Sequence, residues 1–484
     1  MYFNSIDFAI FLPLVFILYW FVFNKDLKFQ NLLIVVASYV FYGWWDWRFL
    51  FLIIFSTIID YAVGQNLRNE EKKIKRKVLL WTSIIVNLGF LGLFKYYNFF
   101  LENFVSAFSL FGMEIQANTL SIILPVGISF YTFQTLSYTI DAYKKKLEPT
   151  KDFIAFSAFV CFFPQLVAGP IERATNLLPQ FYKKRKFEYN KAVDGMRQIL
   201  WGLFKKVVIA DNCAEFANQI FNNSADMNGS TLIIGAIFFT FQIYGDFSGY
   251  SDIAIGTSRL FGFNLKQNFA TPYFSRDIAE FWRRWHISLS TWFRDYLYIP
   301  LGGSRGGTLM KVRNTFIIFI VSGFWHGANW TFIVWGALNA VYFIPLLLLN
   351  KNRANTDTVA QGKYLPTLRE FFNMGITFAL TVLAWIFFRA ESIEHAWSYL
   401  SGIFSISIMQ IPYFPGIGLT IPIVVLIILF VIVEWLGRDY KYAIAYLDLK
   451  IKRPFKWTIY LTIILICYFF GNFSKSIEFI YFQF

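Results

Sequence analysis

Thr315-Phe316-Ile317-Ile318-Phe319-Ile320-Val321, then Ser322-Gly323-Phe324-Trp325-His326-Gly327-Ala328-Asn329-Trp330, then the apolar run Thr331 to Val341: this stretch decides the reading of the chain. A histidine stands in it with apolar residues on both sides. An ionisable group in such a run is costly unless it has work to do. The run 314–349 reads as a hairpin turning near His326-Gly327, which would set His326 deep in a membrane, the alternative being one long crossing. Upstream lies Phe281-Trp282-Arg283-Arg284-Trp285-His286-Ile287-Ser288-Leu289-Ser290. The whole sequence has three histidines, so two of them fall in this region.

The composition agrees with a membrane setting. Of 484 residues, 57% are hydrophobic and 15% charged. Soluble domains are less apolar and carry more charge. Phenylalanine is heavy at 60 residues, and it inserts almost as readily as leucine. The net charge of +14 is spread over short loops rather than gathered on a soluble patch. That pattern excludes nucleic acid as the partner and points to topology signals and anionic membrane lipid. Cys161, Cys213 and Cys467 are far apart and form no C-x-x-C, so neither a disulfide framework nor a thiolate metal site is expected.

Apolar segments fall near 7–23, 30–45, 48–64, 78–98, 119–141, 152–168, 195–217, 231–260, 314–349, 371–389, 420–436 and 457–472. About 20 apolar residues cross a bilayer. The expectation is an all-α polytopic protein with about 11–12 membrane helices, in a single membrane-embedded domain over 1–484. The run Phe8 to Phe23 has no basic residue before it and reads as the first membrane helix, retained.

Six basic residues crowd Arg68 to Lys77, and Lys144 to Lys146, Lys183 to Lys186 and Lys205-Lys206 follow. By the positive-inside rule these face the cytoplasm, with the N-terminus outside. Both flanks of Asp152 to Ala168 are basic, so that segment is read as re-entrant, the alternative being an interfacial helix. The stretch Asn264 to Arg313 is amphipathic and basic, and is placed on the cytoplasmic side.

Five blocks carry a resemblance: Leu124 to Gln134, Phe163-Pro164-Gln165 to Arg173, Tyr244-Gly245-Asp246-Phe247-Ser248-Gly249-Tyr250-Ser251-Asp252, Phe281 to Arg305, and Gly323-Phe324-Trp325-His326-Gly327. In family order and over nearly the whole chain, they resemble the membrane-bound O-acyltransferase family. The likeness is to its polysaccharide branch, which includes alginate O-acetylation and teichoic-acid D-alanylation proteins. The resemblance implies a helical fold around a cytoplasm-facing funnel, in the cytoplasmic (inner) membrane. It implies acyl transfer from a cytoplasmic thioester such as acetyl-coenzyme A or an acyl carrier protein, with no tightly bound cofactor. It implies an extracytoplasmic polysaccharide acceptor, reached directly or through a partner acetyltransferase. The family histidine falls on His326, and the second polar position on His286.

The residue chemistry runs the same way for His326. Acyl transfer to a hydroxyl needs a base near the working pH, and neutral imidazole supplies it. An apolar site keeps the ring uncharged. Trp325 and Trp330 would shield it from water. Asn329, three residues on, would share a helical face with it and orient the ring or donate to an oxyanion. His286, among Trp282, Trp285 and Trp292, is either near the active centre or a surface histidine. Arg276, Arg283, Arg284 and Arg294 either grip donor phosphates or snorkel to lipid headgroups. Asp246 and Asp252 lie inside an apolar run, marking a polar cavity or helix-packing pairs. Gly302 to Gly307 lacks the Walker spacing and reads as a turn. His395 is given no role. No metal-ligand set and no G-x-S-x-G elbow stand out.

The leading reading is transfer of an acyl, foremost acetyl, group. D-alanyl transfer and peptidoglycan O-acetylation are its neighbours. A transporter of lipid-linked sugar is the rival from another class, although no inverted repeat is visible.

Overall fold

The computed structural model describes every residue except 114, 116–117, 121–122, 448–450, 472–478 and 481–484. Among the described residues every regular element is helical. Among the same residues, seven helical stretches are long and apolar enough to cross a membrane: Leu27–Asn69, Lys73–Ser109, Gly229–Leu260, Trp330–Leu348, Leu368–Arg389, Ile417–Leu436 and Arg453–Phe470. The first has 43 residues, about twice the length of one crossing, and a short 3-10 turn at Trp47–Phe49 breaks it. The count differs from the expected 11–12 because the 30–45 and 48–64 runs fall in that one stretch, the 7–23 run forms only the shorter Ile6–Val22, and other apolar runs are cut short. The 119–141 run becomes helical only at Ile128–Tyr143, 152–168 only at Phe153–Cys161, and 195–217 turns π-helical at Phe204–Ala210.

The chain divides into two compact units, Met1–Ala192 with Thr257–Lys266, and Val193–Gly256 with Gln267–Phe484. In the first, the buried carboxylate of Asp60 ties three helices together. It accepts from Ser83 and, at 2.9 Å, from Asn87 on one neighbour, and from Thr139 at 3.1 Å on another. Polar side chains bonded across helices hold membrane bundles in this way. The nine-residue helix Phe153–Cys161 starts on Asp152, whose carboxylate accepts from Ala155 N at 3.0 Å. It rises roughly 14 Å, too little to span. Residues 155–174 are buried without a break, so this segment lies inside protein rather than on an interface. Two of the sequence blocks meet here. Gly127 has φ +75°, and a Cβ on it would lie 2.9 Å from the Leu166 carbonyl oxygen.

The second unit holds both histidine blocks. Thr308–His326 and Trp330–Leu348 form the expected hairpin, turning over Gly327-Ala328-Asn329. The two helices touch backbone to backbone. A Cβ on Gly323 would lie 2.1 Å from the Phe332 carbonyl oxygen, and one on Gly336 would lie 2.3 Å from that of Phe319. Neither backbone can give way like a flexible side chain. Gly323→Ala is therefore expected to cost at least about 1–3 kcal/mol through overpacking. A thermal melt of the detergent-solubilised variant checks this, and an unchanged midpoint would contradict it.

A glycine row also shapes the Gly229–Leu260 helix. Cβ atoms on Gly245, Gly249 and Gly256 would lie 2.9 Å from Lys205 O, 2.8 Å from Gly202 O and 2.5 Å from Gly195 O. Small residues let membrane helices approach this closely. The approach carries Lys205 and Lys206 against the carboxylates of that helix.

Candidate active site

The Thr308–His326 helix stops at His326 because Gly327 is extended (φ −161°, ψ 151°) and Asn329 starts the next helix. The Asn329 side-chain oxygen accepts from Thr331 N at 2.9 Å, and its Nδ2 donates to the Glu391 carbonyl at 2.9 Å. His326 and Asn329 thus sit on different helices and share no face. Asn329 shapes the turn rather than holding the imidazole.

The His326 ring is 3% exposed. Aromatic rings box it in: Trp325 at 4.9 Å, Trp335 at 5.1 Å and Phe388 at 5.3 Å between centroids. Trp385 stacks on Trp335 at 5.6 Å. Such a box keeps water from a reactive acyl group. Trp330, by contrast, is half exposed and does not shield the ring.

His286 is no surface residue. It is 1% exposed and sits between the short helices Ile278–Arg284 and Ile287–Phe293. Its backbone is left-handed, with φ +43°, a conformation that non-glycine residues hold only when their surroundings enforce it. The Phe247 ring meets it edge-on at 4.6 Å, and Trp325 lies 6.2 Å away. Trp325 therefore touches both histidines, and the two blocks picked out in the sequence converge on one indole. Burial pushes the His286 imidazole down to about 3, so it is neutral at physiological pH.

Asp246 is buried. Its carboxylate pairs with Lys206 at 2.8 Å and accepts from Ile480 N at 2.7 Å. Lys206 also pairs with Asp211 at 2.9 Å, and Lys205 pairs with Asp252 at 2.5 Å. Lys205 and Lys206 are therefore not a cytoplasmic loop, as the charge pattern had suggested. They are buried in the π-helical stretch Phe204–Ala210.

Arg283 and Arg284 are committed to the protein. Arg283 donates to the Asn352 carbonyl at 2.7 Å and to that of Asn355. Arg284 pairs with Glu280 at 2.9 Å and donates to the Asp357 carbonyl at 2.8 Å. Arg276 pairs with Glu280 at 3.0 Å and Asp357 at 2.9 Å. The hydrogen bond from Arg276 holds the Asp357 carboxyl below the usual carboxylate range. These arginines anchor the 352–357 loop.

A cavity of about 220 Å³ lies against both helices of the hairpin. Trp282, Phe293, Phe319 and Phe343 wall it, with Arg294 and Arg353 among its polar residues. Ser322 also lines it, one helical turn before His326. Among the described residues no group of three or more His, Cys, Asp or Glu is placed to hold a metal.

Sequence reasoning missed Asn268. It is fully buried and its side-chain oxygen lies 3.1 Å from His286 Nδ1. Lys266-Gln267-Asn268-Phe269 has no helical or strand period, and nothing in it marks a site.

Residues 79–387 match the sequence profile of MBOAT, the membrane-bound O-acyltransferase family. A protein of Pseudomonas aeruginosa named "Probable alginate O-acetylase" is 40% identical over 411 residues, covering 84% of this chain and 75% of that one. The peptidoglycan O-acetyltransferase of Helicobacter pylori is 37% identical over 420 residues, covering 81% and 77%. The teichoic acid D-alanyltransferase of Streptococcus thermophilus is 30% identical over 321 residues, covering 60% and 75%.

Proposed function

The chain belongs to the membrane-bound O-acyltransferase family, a multi-pass membrane O-acyltransferase, and from that premise we propose the following reaction. It takes an acetyl group from a cytoplasmic thioester, acetyl-coenzyme A or an acyl carrier protein, and passes it toward hydroxyls of an extracytoplasmic polysaccharide. The observation that carries this reading is the convergence of His326 and His286 on Trp325 in a buried aromatic box.

In this reading neutral His326 takes the proton of the attacking hydroxyl. The new C–O bond forms as the C–S bond breaks, and the departing thiolate receives the proton. A second form has His326 carry the acetyl group briefly, with the imidazole as nucleophile. The apolar wall of the 220 Å³ cavity suits an uncharged thioester arm, and Arg294 and Arg353 suit its phosphate end. The funnel would open to the cytoplasm of a cell whose inner membrane holds the protein. An extracytoplasmic acetyltransferase would complete delivery to the polymer.

Acetyl is favoured over D-alanyl because the acetylating relatives match over 81% or more of the chain, against 60% for the D-alanyl one. Alginate-like and peptidoglycan acceptors both fit the relatives. Purified protein in nanodiscs, offered labelled acetyl-coenzyme A, labelled acetyl carrier protein or aminoacyl carrier protein, separates the donors. Turnover of an acetyl thioester is expected. Turnover of only the aminoacyl carrier would replace this reading by D-alanyl transfer.

A further inference from the structure

We propose that Asn268 is a positioning residue that fixes the proton of His286 on Nδ1 and leaves Nε2 as the acceptor. Asn268 is wholly buried, and its oxygen faces two donors of Ser288, the backbone N–H at 3.2 Å and the hydroxyl at 2.8 Å. A backbone N–H can only donate. The atom opposite it is therefore the amide oxygen, and this fixes which way round the Asn268 side chain lies. The amide nitrogen agrees, since it donates to the Ser251 hydroxyl at 3.1 Å.

The same oxygen stands 3.1 Å from His286 Nδ1. An oxygen that accepts requires N–H on the other side, so Nδ1 bears the proton. In a neutral imidazole the lone pair is then on Nε2. The backbone of Asn268 completes the clamp, because Ile287 N donates to its carbonyl at 2.8 Å. One asparagine thus grips residues 286, 287 and 288, and the left-handed turn at His286 is held by these bonds. The tautomer stands by itself, while its use in proton transfer rests on the acyl-transfer reading.

The test uses the small number of histidines. Full-length protein labelled with ¹⁵N-histidine gives signals from three rings, assigned with His286→Gln and His395→Gln variants. The expected wild-type spectrum shows a neutral His286 with its proton on Nδ1. A proton on Nε2 instead would overturn the proposal, and this measurement needs no variant of Asn268. Asn268→Leu is expected to lose the Nδ1–H signature and to lower labelled acyl transfer by about 10–100-fold, as supporting hydrogen-bond partners commonly do. Asn268→Asp, which still accepts from Nδ1, is expected to keep the Nδ1 proton and more of the activity. A Leu variant with unchanged spectrum and unchanged transfer would contradict the clamp. An Nδ1–H spectrum in a wild type that transfers no acyl group would remove its catalytic use and leave the tautomer standing.

Discussion

Cells carrying His326→Ala are expected to produce polymer whose acetyl content falls about 10²–10⁴-fold, the range a positioned general base supplies. The rings packed around it at 4.9 to 5.3 Å, Trp325, Trp335 and Phe388, offer no base to take its place. The lost imidazole leaves a small apolar hole, a modest stability cost beside the loss of chemistry. Acetyl content is read by alkaline release of acetate, and protein level by blot. Near-normal acetylation at matched protein level would remove His326 from the reaction.

Lys206→Met is expected to destabilise the fold by about 3–5 kcal/mol, the cost of removing one partner of a buried ion pair. Lys206 Nζ lies 2.9 Å from Asp211 and 2.8 Å from Asp246. All three side chains are at most 9% exposed. Without the ammonium, two carboxylates face each other in an apolar interior. They must take up a proton or draw in water. Asp246→Asn is expected to cost less, because Lys206 keeps Asp211. The double change Lys206→Met with Asp246→Asn is expected to recover part of the loss, since it removes a charge of each sign. Melting midpoints of the three variants in one detergent test the order. A Lys206→Met protein as stable as wild type would show that the cluster is solvated rather than buried.

Much of this was legible because membrane helices obey few rules. The hairpin was written in two apolar runs flanking Gly327, and the histidines stood out because ionisable groups there are rare. What the sequence hid had particular causes. Lys205 and Lys206 look like a cytoplasmic charge signal, because the rule that sets topology counts basic residues without asking for partners. Their partners, Asp252 and Asp246, were visible inside an apolar run. The missing link was the glycine row Gly245, Gly249 and Gly256, which lets the two backbones meet. A search for cations near those carboxylates, guided by that row, would have found the pairs.

Asn329 was misplaced for a simpler reason. Helical spacing was carried past His326, whereas Gly327 ends the helix and an asparagine is a strong cap for the next one. For Arg283 and Arg284 the sequence offers donor phosphate or lipid headgroups as partners, and it does not show their bonds to the carbonyls of a loop seventy or so residues away, a contact no local pattern encodes. Asn268 had no signal at all, since its meaning comes from four bonds to residues 286–288 made only after the chain has folded back.

Acyl transfer through His326 can be measured in isolated membranes. Wild-type and His326→Ala membranes would receive radiolabelled acetyl-coenzyme A together with the extracytoplasmic partner fraction, and label in polymer would be counted. Label is expected in the wild type and lost in His326→Ala at equal protein level. Equal labelling in both membranes would contradict it.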